Sequence, residues 1–485
     1  MSVKTGMLRW SWAVEGQCAL SLARARSPRP MRNMDGFSFA ACCFLCVISA
    51  GGCSASPPQQ HGDEEVILSL RKELGAGEQV QAALKKAEAD LEAAETRFGP
   101  DAEETGFAVN ALGMLCKASG QYDKAEPLLN RALAICKKTY GIDHQNTAIS
   151  YNNLALLLKT QGKYAAAEPL YQKSLAIAVR VSGPDHQDTV VSLVNLAMLY
   201  DAQGRYDEAR ALLQRALTAC EKTVGPEHGT TAACLINLAL VSQHEAAYAE
   251  AESLLLRAKK LLTPLLGKEH PTVVGVDSQL ATLYDAQGQY ERAGTLHEKV
   301  LAIREQAFGK PHPSVAQALN NLGSNYEARG LNEKALDMYV RAVSISQKSF
   351  GRNHPVTAVY LNNLAGFLFK AGDIVNARSL YEQSLAILNK HTGPHQVQAI
   401  GVLLNLASLA YYSERDYAKS GRLSETAAQL CKDSLGPDHP LRATSLTSLA
   451  SVRVAQGSPA EAAIKQHRFC KSQISEVGHL ASMFR

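Results

Sequence analysis

Residues 189–204 read Thr-Val-Val-Ser-Leu-Val-Asn-Leu-Ala-Met-Leu-Tyr-Asp-Ala-Gln-Gly, and this stretch decides the fold. One apolar stripe runs through it at positions i, i+3, i+4 and i+7, formed by Leu193, Leu196, Ala197 and Tyr200. This spacing is the period of one face of an α-helix, and Gly204 is a residue that ends helices. A second amphipathic pattern follows over residues 206–217. The stretch therefore predicts two helices joined by a short turn.

The same pattern recurs along the chain with a period of 42 residues. A loop glycine stands at Gly99, Gly141, Gly183, Gly225, Gly267, Gly309, Gly351 and Gly393, and the next, Gly436, comes after 43 residues. A leucine column runs through the units at Leu112, Leu154, Leu196, Leu238, Leu280, Leu322, Leu364, Leu406 and Leu449. An alanine column marks the second helices at Ala125, Ala167, Ala209, Ala251, Ala293, Ala335 and Ala377. Because one helix pair cannot bury its outer face, such pairs must stack on their neighbours.

These motifs resemble the tetratricopeptide repeat family. The first helix carries Leu-Ala-x-x-Tyr and the second Ala-x-x-x-Leu-x-x-Ala, at the separation found in that family. The 42-residue unit, with Leu-Asn-Asn-Leu and Gly-x-x-His-Pro, resembles the kinesin light chain type. The resemblance implies an all-α fold, a right-handed superhelical solenoid of antiparallel helix pairs. It also implies that the first helices line a concave groove that binds peptides or partner proteins.

The chain divides into five expected segments. Residues 1–53 form a leader with a lipobox-like end, and residues 54–63 a flexible tether. Capping helices are expected over 64–98, nine helix pairs over 99–475 and a tail over 476–485. The chain should therefore hold one long array in place of the three domains that its 485 residues would suggest.

The leader has the layout of a secretory signal. Residues 37–50 are uncharged and apolar, too short a run for a comfortable membrane span. The run ends Ser49-Ala50-Gly51-Gly52-Cys53, which resembles the lipobox of bacterial lipoproteins. The resemblance implies lipidation of Cys53 and attachment to the bacterial cell envelope, on the periplasmic or outer-membrane face. Met31 would then be the true start. A plain cleaved signal, a transit peptide and a cytoplasmic location are the alternatives.

An asparagine column lies beside the leucine column, at Asn153, Asn195, Asn237, Asn321, Asn363 and Asn405. Two turns along the helix, Lys117 and Lys159 begin a second column that becomes acidic further on. Asparagine amides can hydrogen-bond the backbone of an extended peptide, and the lysines would favour an acidic ligand. We therefore expect these residues to bind a peptide or partner. The alternative is that each asparagine bonds an adjacent repeat or its own helix.

The sequence carries no recognisable catalytic, cofactor or metal motif. Its 50 basic and 46 acidic residues give a net charge of +4, and residues 54–485 balance to zero, which argues against nucleic acid as a partner. The segment His244-Glu245-Ala246-Ala247-Tyr248 lacks the second histidine of a zinc protease motif. Histidines near the loop glycines are expected to cap or pack the loops. Apart from the leader's, the cysteines are expected to act as small buried hydrophobes, at Cys116, Cys136, Cys220, Cys234, Cys431 and Cys470.

The sequence thus predicts a non-enzymatic scaffold that binds extended peptide segments or partner proteins in a concave groove, as an exported bacterial lipoprotein. No metal or cofactor is expected, and membrane attachment would come from lipid at Cys53. The principal alternative is a cytosolic adaptor of the kinesin light chain type. A remote alternative is an enzyme with no recognisable motif.

Overall fold

The structure is a computed structural model, and it describes residues 76–390, 395–435 and 439–456. The leader with Cys53, the tether, the C-terminal tail and residues 64–75 lie outside this part of the chain. Apart from one π-helical turn, the regular structure in the described ranges is α-helix, without a strand, which confirms the all-α prediction. The helices are α1 Ala76–Phe98, α2 Glu103–Ala118, α3 Tyr122–Tyr140, α4 Gln145–Thr160, α5 Tyr164–Ser182, α6 Gln187–Ala202, α7 Tyr206–Thr223, α8 Gly229–His244, α9 Tyr248–Leu266, α10 Pro271–Ala286, α11 Tyr290–Phe308, α12 Pro313–Ala328, α13 Asn332–Phe350, α14 Pro355–Lys370, α15 Ile374–Asn389, α16 His395–Leu409, α17 Tyr417–Leu435 and α18 Pro440–Ala455.

After α1, the helices are arranged in pairs that repeat along the chain. Unit one consists of α2 and α3, unit two of α4 and α5, and the series continues to unit eight, α16 and α17. Within residues 76–350, and separately within the described residues from 351 onward, each first helix packs on the helix that precedes it in the same range, and in units one to eight it also packs on the second helix of its own unit. This is the packing expected of a helical solenoid. Helix α18 begins a ninth unit, whose predicted second helix lies outside the described residues.

The joint between two units is built from a short motif, shown here by Gly183, His186 and Thr189. Gly183 has φ of 97°, a conformation that other residues rarely adopt, and its N–H ends α5 by donating to Val179 O. The Thr189 hydroxyl donates to Gly183 O at 2.7 Å. The N–H of Asp188 donates to His186 Nδ1 at 3.2 Å, so the imidazole caps the start of α6. Equivalent imidazole caps are present at His144, His228, His270, His312, His354 and His439.

The predicted core columns are buried. Every member of the leucine column is at most 8% exposed, and every member of the second-helix alanine column is 0% exposed. At Gly113, which replaces an alanine in the small-residue column of the first helices, an added Cβ would lie 2.9 Å from the Leu129 side chain. Large and small side chains therefore interlock between the two helices of this unit.

A π-helical turn explains the one irregular spacing in the repeat. The turn covers Ala410–Glu414, directly after α16, and it is followed by Arg415 in the left-handed conformation with φ of 56°. Leu406 keeps the 42-residue spacing from Leu364, whereas Gly436 falls one residue late. A π turn is the usual result of inserting one residue into a helix. The extra residue is thus absorbed before α17 begins, and the core contacts of both helices are kept.

The described residues form two compact units. One contains residues 76–160 and 164–350, and the other contains the described residues from 351 onward together with 161–163. The larger one holds α1 to α13 except for the 161–163 turn, and its core consists of clusters of buried apolar side chains that follow one another along the helices. The smaller one holds α14 to α18 with the same alternation of helices.

Candidate binding face on the first helices

Successive first helices lie beside one another. Helix α2 contacts α4, α4 contacts α6, α6 contacts α8 and α10 contacts α12, and in the smaller compact unit α14 contacts α16. A residue on one first helix meets the residue 43 positions later on the next, as Asn152 and Asn195 do. In each compact unit, we call the surface formed by these contacts the first-helix face. It includes the predicted asparagine and charged columns.

The asparagines form a ladder between units. Asn195 Nδ2 donates to Asn152 Oδ1 at 2.8 Å, and Asn153 Nδ2 donates to Asn110 Oδ1 at 2.9 Å. In the smaller compact unit, Asn405 Nδ2 donates to Asn362 Oδ1 at 3.0 Å. The alternative that an asparagine bonds an adjacent repeat is therefore correct for part of this column. It does not by itself exclude ligand contact, because each amide has two N–H groups and two acceptor lone pairs.

The remaining predicted asparagines occupy different environments. Asn237 is 1% exposed and its amide donates to Ala233 O at 3.0 Å, so it offers no surface to a ligand in this structure. The physical reason is that its neighbour 43 residues earlier is Val194, which cannot accept a hydrogen bond. Asn321 and Asn363 are half-buried. Asn363 Oδ1 lies 3.5 Å from Asn362 Nδ2.

The charged column begins with two half-buried lysines, Lys117 on α2 and Lys159 on α4. Burial lowers the pKa of the Lys159 ammonium to about 8. The charge of Asp201 opposes this shift, and the like charge of Lys117 adds to it. Two neighbouring ammonium groups on one face would attract a carboxylate or another anion.

Further along the column, carboxylates are paired with neighbouring side chains. Asp201 Oδ1 lies 2.6 Å from His244 Nδ1, again at an offset of 43 residues. Burial lowers the pKa of His244, but the hydrogen bond and charge of Asp201 outweigh it, and the net pKa is raised above the usual value. In the next pair, Glu327 Oε2 accepts from the Tyr339 hydroxyl at 2.8 Å. These two acidic members of the column therefore already have hydrogen-bond partners within the protein.

Unit five and the start of unit six contain a polar cluster in the core. Asp285 Oδ2 lies 2.8 Å from His297 Nε2, and Asp285 Oδ1 accepts from Asn325 Nδ2 at 2.7 Å. His297 and Asn325 are 1% and 0% exposed. Asn325 Oδ1 is buried and meets no hydrogen-bond donor in the described part of the chain. A buried amide oxygen normally has a hydrogen-bond partner, so Asn325 is unusual in this core.

Sequence reasoning missed this cluster, although a signal was present. His297 stands where other second helices have Leu129, Tyr171, Leu213, Leu255, Tyr339 and Tyr381. Asn325 stands where other first helices have Leu115, Leu157, Leu199, Val241, Leu283, Phe367 and Leu409. A histidine and an asparagine at positions that carry leucine, valine, phenylalanine or tyrosine in the units named above mark a local specialisation. The sequence alone shows that His297 and Asn325 depart from their columns. That both lie against Asp285 can be seen only from how the helices pack.

The histidines confirm the structural prediction made for them. Each of the capping imidazoles accepts a backbone N–H and serves the start of its own first helix, as described for His186. Within the described ranges, no group of three or more His, Cys, Asp or Glu side chains could hold a metal ion. No helix of those ranges is both long enough and apolar enough to cross a membrane. Cys53 and the signal-like leader lie outside them, so the lipidation site stays a prediction.

The fold and the repeated first-helix face define a helical-repeat interaction scaffold. The sequence profile of the tetratricopeptide repeat family matches residues 74–138, 105–178, 153–222, 188–263, 272–348, 315–390 and 398–464. The chain belongs to the tetratricopeptide repeat family. None of the curated proteins compared with the chain matches it.

Several solved structures are similar to parts of this chain. BtubC (BKLC) from P. vanneervenii is 26% identical over 47% of this chain and 89% of its own, with a TM-score of 0.38. A Podosopora anserina chain described as a kinesin light chain with nearly identical TPR-like repeats is 28% identical over 42% of this chain and 97% of its own, with a TM-score of 0.37. A Rap protein complexed with Competence and Sporulation Factor is 14% identical over 76% of this chain and 98% of its own, with a TM-score of 0.50, and shows the fold alone.

Proposed function

We propose that the protein is a non-enzymatic scaffold that captures an extended segment of a partner protein along its first-helix face. The observation that carries this proposal is the Asn152–Asn195 contact and its equivalents between successive first helices. Each contact uses one N–H of one amide and one lone pair of the other. It fixes the orientation of both side chains and leaves their remaining groups for the backbone of a ligand. Polar groups held in place before binding cost less entropy when a ligand arrives.

The charges on the face favour a ligand that is acidic opposite units one and two. Lys117 and Lys159 supply two neighbouring ammonium groups at that end. Asp201 and Asp285 already contact imidazoles. The acidic part of the column therefore attracts a basic ligand less strongly than two free carboxylates would. An acidic extended peptide therefore matches the face better than a basic one.

A selection from a random peptide library displayed on phage tests this proposal with the full-length chain. We expect the wild-type protein to enrich acidic sequences, and Lys117→Glu/Lys159→Glu to lose that enrichment. Lys138→Glu is the matched control, because Lys138 lies on a second helix with its side chain 70% exposed. Enrichment that is absent, or that survives the double charge reversal, would count against the proposal.

The asparagine ladder needs a separate test, because removing an amide also removes a contact between units. Asn195→Ala should weaken binding of a selected peptide and lower the unfolding free energy by about 1 kcal/mol. Asn237→Ala is the matched control, since Asn237 is buried and should affect stability without affecting affinity at equal folded fraction. Equal affinity of the wild type and Asn195→Ala would reduce the ladder to a structural element.

We further propose that the scaffold is exported and anchored by lipid at Cys53. The support is the apolar run of residues 37–50 followed by Ser-Ala-Gly-Gly-Cys53. Mass spectrometry of the mature N-terminus after expression in a bacterium tests this proposal. A chain that begins at a diacylated Cys53 supports it. An unmodified chain that retains Met1 or Met31 in the cytosol would favour the cytosolic adaptor instead.

A further inference from the structure

Two buried cysteines face each other at the joint between unit three and unit four. Cys220 lies in the last turn of α7 and Cys234 in the second turn of α8. Their Sγ atoms are 3.6 Å apart, and the residues are 2% and 0% exposed. A disulfide requires about 2.05 Å between the sulfur atoms, so small side-chain movements would bring them into bonding distance.

The equivalent positions at other joints between units carry different pairs of residues. At the equivalent joint between units one and two, Cys136 faces Ser150, and the Ser150 hydroxyl lies 3.2 Å from Cys136 Sγ. Other joints carry the pairs Ala178/Ser192, Leu262/Val276 and Arg304/Ala318. Cys116, Cys136 and Cys431 are also buried and free. Of the cysteines that the structure describes, Cys220 and Cys234 are the pair brought into sulfur–sulfur contact.

We propose that Cys220 and Cys234 form a reversible dithiol–disulfide pair, a redox modification site that links units three and four. The oxidant is a small two-electron oxidant of the peroxide class. The Cys220 thiolate attacks one peroxide oxygen, the O–O bond breaks, and hydroxide leaves with a proton as water. The Cys234 sulfur then attacks the resulting sulfenic acid, the S–O bond breaks, and a second water leaves. Two thiols and one hydrogen peroxide thus give one disulfide and two waters.

The local chemistry favours Cys220 as the attacking thiol. The hydrogen bond from Cys234 lowers the pKa of the Cys220 thiol against the effect of its burial. The same contact and deep burial raise the pKa of Cys234, which therefore suits the role of the second, resolving thiol. Because Cys220 lies within three residues of the end of α7, opening of that last turn gives a small oxidant access.

The disulfide would act on the first-helix face through α8. Helix α8 also carries His244, which contacts Asp201 of α6 in unit three. A covalent link between α7 and α8 would therefore restrict the movement of unit four relative to unit three. Oxidation would hold the Asp201–His244 contact in one geometry.

The test uses the full-length chain, reduced and then freed of reductant. Hydrogen peroxide is added under native conditions, the protein is denatured in N-ethylmaleimide, and its peptides are analysed by mass spectrometry. We expect a linked peptide containing Cys220 and Cys234, lighter by two hydrogens than its dithiol form and reversed by dithiothreitol. It should form about tenfold faster than the Cys136 thiol is lost.

Cys220→Ser is the matched variant, because it places a serine beside a cysteine as Ser150 and Cys136 already do. It should give no linked peptide and leave Cys234 open to alkylation after denaturation. The wild-type measurement stands even if this variant folds poorly. Full alkylation of both cysteines in peroxide-treated wild type, or linkage that appears only in denaturant, would overturn the proposal.

Discussion

Lys259 Nζ lies 2.5 Å from Asp277 Oδ1 at the joint between units four and five. Asp277 is 0% exposed, and Lys299 Nζ lies 2.9 Å from its other oxygen. Asp277 replaces the apolar residues of other first helices, Val109, Tyr151, Leu193, Leu235, Leu319, Leu361 and Leu403. Lys259 replaces those of other second helices, Leu133, Leu175, Leu217, Leu301, Val343 and Leu385. One ion pair thus stands where the repeat elsewhere has two apolar side chains.

Replacing one member of this ion pair should lower the stability more than replacing both members. We expect Lys259→Leu to destabilise the chain by about 3 kcal/mol, because it leaves the Asp277 carboxylate buried with one partner fewer. Lys259→Leu/Asp277→Leu should regain at least the wild-type stability, since apolar side chains restore the pattern of the other units. Urea unfolding of the two single variants and the double variant measures the coupling. A double variant less stable than the wild type would contradict this expectation.

The imidazole caps should also contribute measurably to the unfolding free energy. His228 Nδ1 accepts from the Thr230 N–H at 3.2 Å and so satisfies one free donor at the start of α8. His228→Ala should lower the unfolding free energy by about 1 kcal/mol, and His228→Asn should recover most of the loss because its Oδ1 can accept the same bond. Glu227→Ala, an exposed change in the same loop, is the control. Hydrogen exchange at the first turn of α8 reports the effect directly; equal losses for Ala and Asn would disprove a capping role.

The fold could be predicted because its determinants are periodic. Leu196 and Ala209 recur at fixed positions, and both columns are buried as expected. The loop motif is also local, since the His186 N–H and the Thr189 hydroxyl both donate to Gly183 O within seven residues of chain. Features that depend on short sequence distances or on a constant period can be predicted without knowing how the units pack.

The details of the candidate site depend on packing between units. The sequence left open whether Asn195 bonds a neighbouring repeat, because the partner is decided by the 43-residue offset between successive first helices. Once that offset is known, Asn152 is the expected partner of Asn195. The residue at the same offset from Asn237 is Val194, which cannot accept a hydrogen bond, so Asn237 bonds a carbonyl of its own helix. Similarly, Asp277 and Lys259 are visible as exceptions in two columns, but only the structure brings them together.

Stability should depend on pH through the Asp201–His244 pair. The net pKa of His244 is raised above its usual 6.5 by the Asp201 contact, even though burial lowers it. A raised folded-state pKa means that the contribution is fully present below 6.5 and is lost as pH rises through the folded value. The wild type should therefore lose more stability than His244→Gln between pH of about 6 and 8. Parallel pH profiles for the two proteins in thermal unfolding would refute this coupling.

The pKa of Lys159, about 8, should respond to both charged neighbours. Burial lowers its pKa to about 8, Asp201 raises it and Lys117 lowers it. Asp201→Asn should therefore lower the pKa further, whereas Lys117→Ala should raise it. The pH dependence of Lys159 acylation, followed by mass spectrometry with exposed Lys138 as the internal reference, measures both shifts. An acidic peptide bound at this end of the face should raise the pKa and slow the labelling. Labelling of Lys159 that neither substitution changes would show that its ammonium does not sense these charges, and would remove the basis for an acidic ligand at units one and two.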